Sequence, residues 1–318
     1  MSNSIPVAVV QAGSQLFDTP KSLEILVSKT TEAAQAGAKL VVFPEAFLGG
    51  YPKGNHFGAP VGSRSNEGRD WFQKYHQSAI EVPGIETNRI AELCGQLGVD
   101  LVVGVVERSS NDADRGTLFC TALTFSAKGK LLGKRRKLVP TAAERVIWGR
   151  GDGSTLGAFA AESGKIGTVI CWENFMPALR ISQYAQGVEF YCAPTVDDRE
   201  SWTSLMRTIA MEGRCFVLSS NPFMTRANVP DDFETTQGTR DDTVLINGGS
   251  VIVSPLGELI AGPHFGSETI LFANLDKQDI ARGKMDFDVT GHYNRPDVFR
   301  LQIDERKKDA VEFTEFDE

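Results

Sequence analysis

Two patterns alternate along this chain and narrow its possible folds more than any other feature. Short, continuous apolar runs are separated by segments whose apolar residues recur at helical spacing. Residues 5–11 (IPVAVVQ) read as a buried strand. Asp18-Thr19-Pro20 then opens a helix, with an oxygen-bearing cap and a proline near the first helical position. Leu23, Leu26, Val27, Thr30 and Ala34 carry the helical period as far as Gly37. Residues 40–43 form a second apolar run. The same reading predicts strands at 101–106, 118–125, 131–138, 166–171, 190–193, 216–220, 250–254 and 269–275. It predicts helices near 70–80, 87–97, 177–186, 202–213 and 277–283. Strands that are apolar at successive positions must be covered on both faces. Strands alternating with helices in this way predict an α/β fold.

Long polar loops are expected at 48–69, 139–156 and 224–247, and loops of that length in a compact chain usually serve function. No Pro- or Ser-rich linker, composition break or repeat interrupts residues 1–303, so they are expected to form a single domain. Residues 304–318 carry ten charged side chains. They predict a tail, either solvated or docked as an arm on a neighbouring subunit.

Composition removes several function classes. Lys plus Arg number 33 and Asp plus Glu 41, for a net charge of −8. Nucleic acids and anionic membranes both require a basic footprint, so neither is expected as a partner. No apolar stretch approaches the roughly 20 residues that span a bilayer, and the start, MSNSIP, lacks the basic region of a signal peptide. The five cysteines, at 94, 120, 171, 192 and 215, are odd in number and widely spaced. That spacing fits neither a disulfide framework nor a CxxC site. A reducing compartment, the cytoplasm, is expected. The four histidines form no HExxH or other metal pair, so no metal site is expected.

Three reactive side chains sit where predicted strands stop abruptly. Glu45 follows the run VVF and a proline, Lys137 closes GKRRK, and Cys171 ends IGTVIC. In a sheet covered on both faces, strand ends are where a side chain meets a ligand. The chemistry of the three is complementary. A thiol is a strong nucleophile that is mostly protonated at neutral pH. A carboxylate can take its proton, and an ammonium can lower its pKa and steady negative charge on the attacked centre. These groups suffice for acyl transfer without histidine.

The surrounding motifs resemble the nitrilase branch of the carbon–nitrogen hydrolase superfamily. They are VFPEA (42–46) with GGYP (49–52), GKRRKLVPT (133–141) with Glu144-Arg145 and WGRGDG (148–153), and ICWENFMP (170–177). APT (193–195) and GHYNRPDV (291–298) complete the set, in family order. The resemblance implies a four-layer α-β-β-α sandwich and a Glu45–Lys137–Cys171 triad. It implies that Glu144 holds Lys137 and orients the substrate, and that the Trp172 backbone N–H binds developing negative charge. Tyr51 and Trp172, which flank the catalytic motifs, are expected to line the pocket.

Cys-Trp-Glu is the pattern of nitrile-hydrolysing members, so the expected activity is conversion of a small nitrile to its acid and ammonia, without metal or organic cofactor. An amidase or N-carbamoyl-amide hydrolase, or a cyanide- or cyanoalanine-hydrolysing enzyme, with the same triad is the alternative. A binding protein on the same fold is a different class, against which the intact triad speaks. The resemblance also implies a homodimer or larger homo-oligomer.

Overall fold

The computed structural model describes residues 4–110, 114–309 and 311. In chain order its regular elements are β1 (Ser4–Gln11), α1 (Thr19–Gln35), β2 (Leu40–Val42), α2 (Asn66–Ser78), α3 (Ile85–Leu97), β3 (Asp100–Arg108), β4 (Leu118–Ser126) and β5 (Lys130–Arg136). Then come β6 (Phe159–Ala160), β7 (Lys165–Thr168), α4 (Pro177–Tyr184), β8 (Phe190–Cys192), α5 (Glu200–Gly213) and β9 (Phe216–Ser219). The series ends with β10 (Phe223–Thr225), β11 (Val244–Val253), β12 (Leu259–Phe265), β13 (Thr269–Asp276) and α6 (Gln278–Gly283).

Two mixed sheets result. The first runs β13-β1-β2-β3-β4-β5, the second β10-β11-β9-β8-β7-β6, with β12 paired to β11. β1, β2 and β3 are parallel, as are β7, β8 and β9. The alternation of side chains along β1 shows how the layers stack. Val7 and Val9 point into one apolar layer with Leu40, Val42 and Val102, where they meet Ile166, Phe190, Phe216, Leu218 and Ile252 of the other sheet. Ala8 and Val10 point the other way, to Leu23, Leu26 and Ala33 of α1 and to Ile90 and Cys94 of α3. On the far side, Tyr191, Val217 and Val251 pack against Trp202, Met206 and Ile209 of α5 and Leu179 of α4. The order is helix, sheet, sheet, helix, the four layers that the resemblance implies. Strands with both faces covered have to be apolar at successive positions.

α1 starts as its sequence requires, the Asp18 side chain accepting the Lys21 N–H at 3.0 Å. Elsewhere the structure departs from expectation. The strand expected over 166–171 stops at Thr168, and Cys171 instead begins a 3-10 turn, Cys171–Phe175, with φ of 51°. The expected loop 224–247 is shortened at both ends. β10 enters at Phe223, and β11 begins at Val244, where Gly248 and Gly249 (φ 82° and 101°) break the periodicity. β12 was not expected at all. It carries Pro263, which an outer strand paired to a single neighbour tolerates. The first part of the charged tail lies on the protein's own surface. The Lys308 N–H donates to Asp152 at 2.8 Å, and a Cβ on Gly153 would meet the Asp304 carbonyl oxygen at 1.9 Å. Residues 310 and 312–318 of the expected tail lie outside the described residues. No helix among the described residues is long and apolar enough to cross a membrane.

Candidate active site

The loops that follow β2, β5, β7 and β8 converge at one end of the sandwich. The loop after β2 brings Glu45, and its approach depends on a glycine. On β3, a Cβ at Gly104 would sit 2.4 Å from the Pro44 carbonyl oxygen and 2.5 Å from the Ala46 nitrogen. Lys137 is the first residue past β5, and its N–H still bonds the Cys120 carbonyl of β4 at 2.8 Å. Three segments at the site each hold a non-glycine residue in the left-handed region: Ala46 (φ 50°), Ala142 (φ 47°) and Cys171 (φ 51°). Such conformations cost about 1–3 kcal/mol and persist only where the surroundings over-determine them.

The acidic and basic groups form a chain of short hydrogen bonds. Lys137 Nζ, fully buried, donates to Glu45 Oε1 and to Glu144 Oε2, each at 2.7 Å. Glu144 Oε2 also accepts the Thr141 N–H at 2.6 Å, and its Oε1 accepts the Tyr51 hydroxyl at 2.8 Å. The Cys120 thiol donates to Glu45 Oε1 at 3.5 Å. Oε1 is thereby occupied twice, whereas Glu45 Oε2 is buried and without a hydrogen-bond partner among the described residues. Cys171 is nonetheless near enough to favour the ionised form of Glu45.

Electrostatics set the resting protonation. Burial raises the Glu45 pKa and Lys137 pulls it down; Glu144 adds to the rise, and the net shift is upward. Lys137 pays a desolvation penalty too, but the surrounding carboxylates and thiols outweigh it and hold the ammonium charged. Burial, followed by the Glu45 charge, pushes the Cys171 thiol well above its ordinary value, against the pull of Lys137 and a hydrogen bond from Thr195. Lys137 does pull the thiol pKa down, as expected of an ammonium, but two carboxylates and the loss of water outweigh one cation. Resting Cys171 is a neutral thiol near Glu45.

A second set of bonds ties the two sheets together at the site. The Glu173 carboxylate, from the turn after β7, accepts from Arg135 Nη2 at 2.9 Å and from the Leu138 N–H at 2.6 Å, both belonging to the other sheet's segment. Arg135 and Glu173 are both buried. Asn174 clamps the cysteine turn, donating to the Val169 and Cys171 carbonyls at 2.9 and 2.8 Å while accepting from Tyr191 at 2.9 Å. The four cations at 134–137 thus serve four different acids. Lys134 and Arg136 pair with buried Glu107, Arg135 with Glu173, and Lys137 with Glu45 and Glu144.

A cavity of about 220 Å³ opens over Cys171, lined by Tyr51, Lys53, Thr141, Glu144, Trp172, Val196 and Asp197 to Arg199. Its wall is fixed: Trp172 Nε1 donates to Asp197 at 2.9 Å, Arg199 pairs with the same carboxylate, and its guanidinium lies 4.8 Å from the Trp172 ring centre. The structure brings Tyr51, Glu144, Cys171 and Trp172 to this cavity, with Glu45 and Lys137 buried beneath it. Sequence reasoning missed Thr195, Asp197, Arg199, Glu173 and Gly104. Thr195 fell inside a quoted motif, but nothing in the sequence marked its hydroxyl. Among the described residues no three His, Cys, Asp or Glu side chains are grouped as metal ligands.

The sequence profile of the carbon-nitrogen hydrolase family matches residues 6–285. A nitrilase of Bradyrhizobium diazoefficiens is 52% identical over 309 residues, covering 97% of this chain and 95% of that protein. An aliphatic nitrilase of Sinorhizobium fredii is 51% identical, covering 96% and 97%. A bifunctional nitrilase/nitrile hydratase of Lupinus angustifolius is 50% identical, covering 98% and 89%. Among solved structures, Saccharomyces cerevisiae Nit3, of branch 10 of the nitrilase superfamily, superposes with a TM-score of 0.71 at 22% identity, covering 92% of this chain and 97% of that one. A Nesterenkonia amidase does so with a TM-score of 0.62 at 18% identity, covering 87% and 93%.

Proposed function

The chain belongs to the nitrilase branch of the carbon–nitrogen hydrolase family and is a hydrolase of carbon–nitrogen bonds; from that premise we propose that its substrate is a small organic nitrile, converted to the carboxylic acid and ammonia. The observation that carries the reading is the unpartnered Glu45 Oε2 near a neutral Cys171 thiol, with Lys137 fixed below by two carboxylates. Nitrile rather than amide rests on similarity. The named nitrilases share about half of this sequence over nearly its whole length, whereas the amidase shares 18%.

In this mechanism Glu45 takes the thiol proton as Cys171 attacks the nitrile carbon. The proton need not leave beforehand, because the carbon–sulfur bond forms as the thiol is deprotonated, and negative charge moves to the nitrile nitrogen. Lys137 and the Trp172 N–H steady that charge, which protonation then discharges to a thioimidate. Glu45 next activates a water that adds to the thioimidate. Loss of ammonia leaves a thioester, and a second water releases the acid. Glu144 holds Lys137 charged and in place, and Tyr51 and Trp172 bound the substrate. No step calls on a metal or organic cofactor.

The same reading makes residues 1–303 one catalytic domain in a cytoplasmic homo-oligomer, at least a dimer. Five free, buried cysteines support a reducing compartment. Exposed Met285, Tyr293, Phe299 and Leu301 support a subunit contact near the C-terminus. The deciding experiment is a panel of nitriles and matching amides with ammonia and acid quantified. Acid and ammonia from nitriles, with the amides turned over slowly, is the expected result. Rapid amide hydrolysis with inert nitriles would replace this reading with an amidase.

A further inference from the structure

We propose that Thr195 is a further catalytic residue, its hydroxyl acting as the hydrogen-bond donor to the Cys171 sulfur and biasing how the tetrahedral intermediate breaks down. The inference rests on the thiol-nucleophile reading above. Thr195 follows β8 in the loop Ala193-Pro194-Thr195 and is fully buried. Its Oγ1 lies 3.2 Å from Cys171 Sγ. The loop holds the two together through backbone bonds: the Cys171 N–H to the Pro194 carbonyl at 2.9 Å, and the Thr195 N–H to the Ser220 carbonyl at 2.9 Å.

The direction of the Thr195 bond follows from the neighbouring groups. Oγ1 already accepts the Asp197 N–H at 3.0 Å. In the mechanism above the thiol proton goes to Glu45, whose Oε2 has no partner among the described residues. The Thr195 proton is then free to point at sulfur. It is the only direction that remains useful once sulfur has lost its proton, because a thiolate can only accept. A donor at that place lowers the thiol pKa, in the same sense as the Thr195 contribution found at Cys171.

The same donor acts on the leaving group. The intermediate R–C(OH)(NH2)–S–Cys171 has two exits. In one, the C–N bond breaks, nitrogen leaves with the hydroxyl proton as NH3, and a thioester R–CO–S–Cys171 remains. In the other, the C–S bond breaks with its electron pair on sulfur, the hydroxyl proton passes by way of Glu45 to that sulfur, and R–CO–NH2 and the Cys171 thiol result. Both exits balance without a further reactant. A hydrogen bond to sulfur stabilises charge only on the second exit, so Thr195 favours amide at the expense of acid.

The test compares Thr195→Val and Thr195→Ala, which remove the hydroxyl, with Thr195→Ser, which keeps it. The first readout is the rate of Cys171 alkylation by iodoacetamide as a function of pH, followed by peptide mass spectrometry. Loss of one hydrogen bond to an ionic sulfur should lower the alkylation rate across the accessible pH range by roughly ten- to a hundredfold in Val and Ala, and Ser should restore it. The second is the amide-to-acid ratio from a nitrile that gives both products, which should fall about tenfold in Val and Ala. A merely structural threonine would lower the melting temperature and leave both readouts alone. An unchanged alkylation rate in Val and Ala, or an amide ratio that holds or rises, overturns the proposal. Where a nitrile yields no amide, or Val fails to fold, the alkylation rate of Ala decides. Alkylation needs no substrate, so it still reads Thr195 if the enzyme proves to act on amides and the nitrile reading fails.

Discussion

Replacing Glu144 with glutamine isolates charge from hydrogen bonding. In the native site Glu144 Oε2 accepts from Lys137 at 2.7 Å and from the Thr141 N–H at 2.6 Å, and Oε1 accepts from Tyr51 at 2.8 Å. A glutamine can keep all three bonds. Its carbonyl oxygen faces the two nitrogen donors, and its amide donates to a Tyr51 hydroxyl that has rotated to accept. Only the ionic character is lost. Neutral hydrogen bonds are worth about 1 kcal/mol net and ionic ones about 1.5–3 kcal/mol, so the change costs roughly 1–1.5 kcal/mol. Felt in the transition state, that is about a five- to tenfold fall in kcat.

Alanine at the same position leaves the Thr141 N–H without its partner and Lys137 with one acid instead of two. Breaking a buried ion pair costs about 3–5 kcal/mol, so Glu144→Ala should lose on the order of a hundredfold or more. The sign of the pH effect also follows. Glu144 contributes to the upward shift of Glu45, so its removal lets the Glu45 pKa fall. The proposed mechanism needs Glu45 ionised to act as base, so the acid limb of kcat/KM should move to lower pH in Glu144→Gln. Steady-state kinetics over the acid range measure both effects. A Gln variant within twofold of the native enzyme, or an acid limb that moves upward, would refute the reasoning.

Cys171→Ala should abolish ammonia release while the protein melts near the native temperature; residual turnover by the pure variant would remove the nucleophile assignment. Gly104→Ala puts a methyl group 2.4 Å from the Pro44 carbonyl oxygen and must displace the Glu45 loop. A shift of the base by about 1 Å should lower kcat roughly a hundredfold, read against an intact circular dichroism spectrum. Glu173→Gln leaves Arg135 buried without its carboxylate. It should destabilise the fold by about 3–5 kcal/mol in denaturant titration, and a change under 1 kcal/mol would show the pair to be dispensable.

What could be read from the sequence follows from what is local in the structure. Strand positions were legible because covered strands are apolar throughout, as in Val7–Val10. Glu45, Lys137 and Cys171 were legible because each stands where an expected strand stops, Glu45 and Cys171 at the end of apolar runs and Lys137 at the close of a basic one. The turn at Cys171 was not, because a positive φ at a cysteine has no local signature; Pro194 and Asn174 impose it from outside. The basic run 134–137 misleads for a related reason. Read alone, it suggests a solvated face, yet each cation has an acid 7 to 92 residues away in sequence. Successive residues of β5 point to opposite faces, so neighbours in sequence answer to different partners. Thr195 carries no charge, and although it closes the APT motif, only its distance to sulfur singles out its hydroxyl.

In the proposed mechanism the proton-handling groups and the nucleophile belong to different sheets. Glu45 and Lys137 leave β2 and β5 of the first, while Cys171 and Thr195 follow β7 and β8 of the second. Neither half of the sandwich is competent alone, and turnover works as a caliper across the apolar seam between them. A slip along that seam, too small to alter either sheet's own hydrogen bonds, parts base from thiol. Heat or pressure should therefore silence such an enzyme while its strands and helices are still in place. The Glu173 bridge to Arg135 and Leu138 is the clasp nearest the gap.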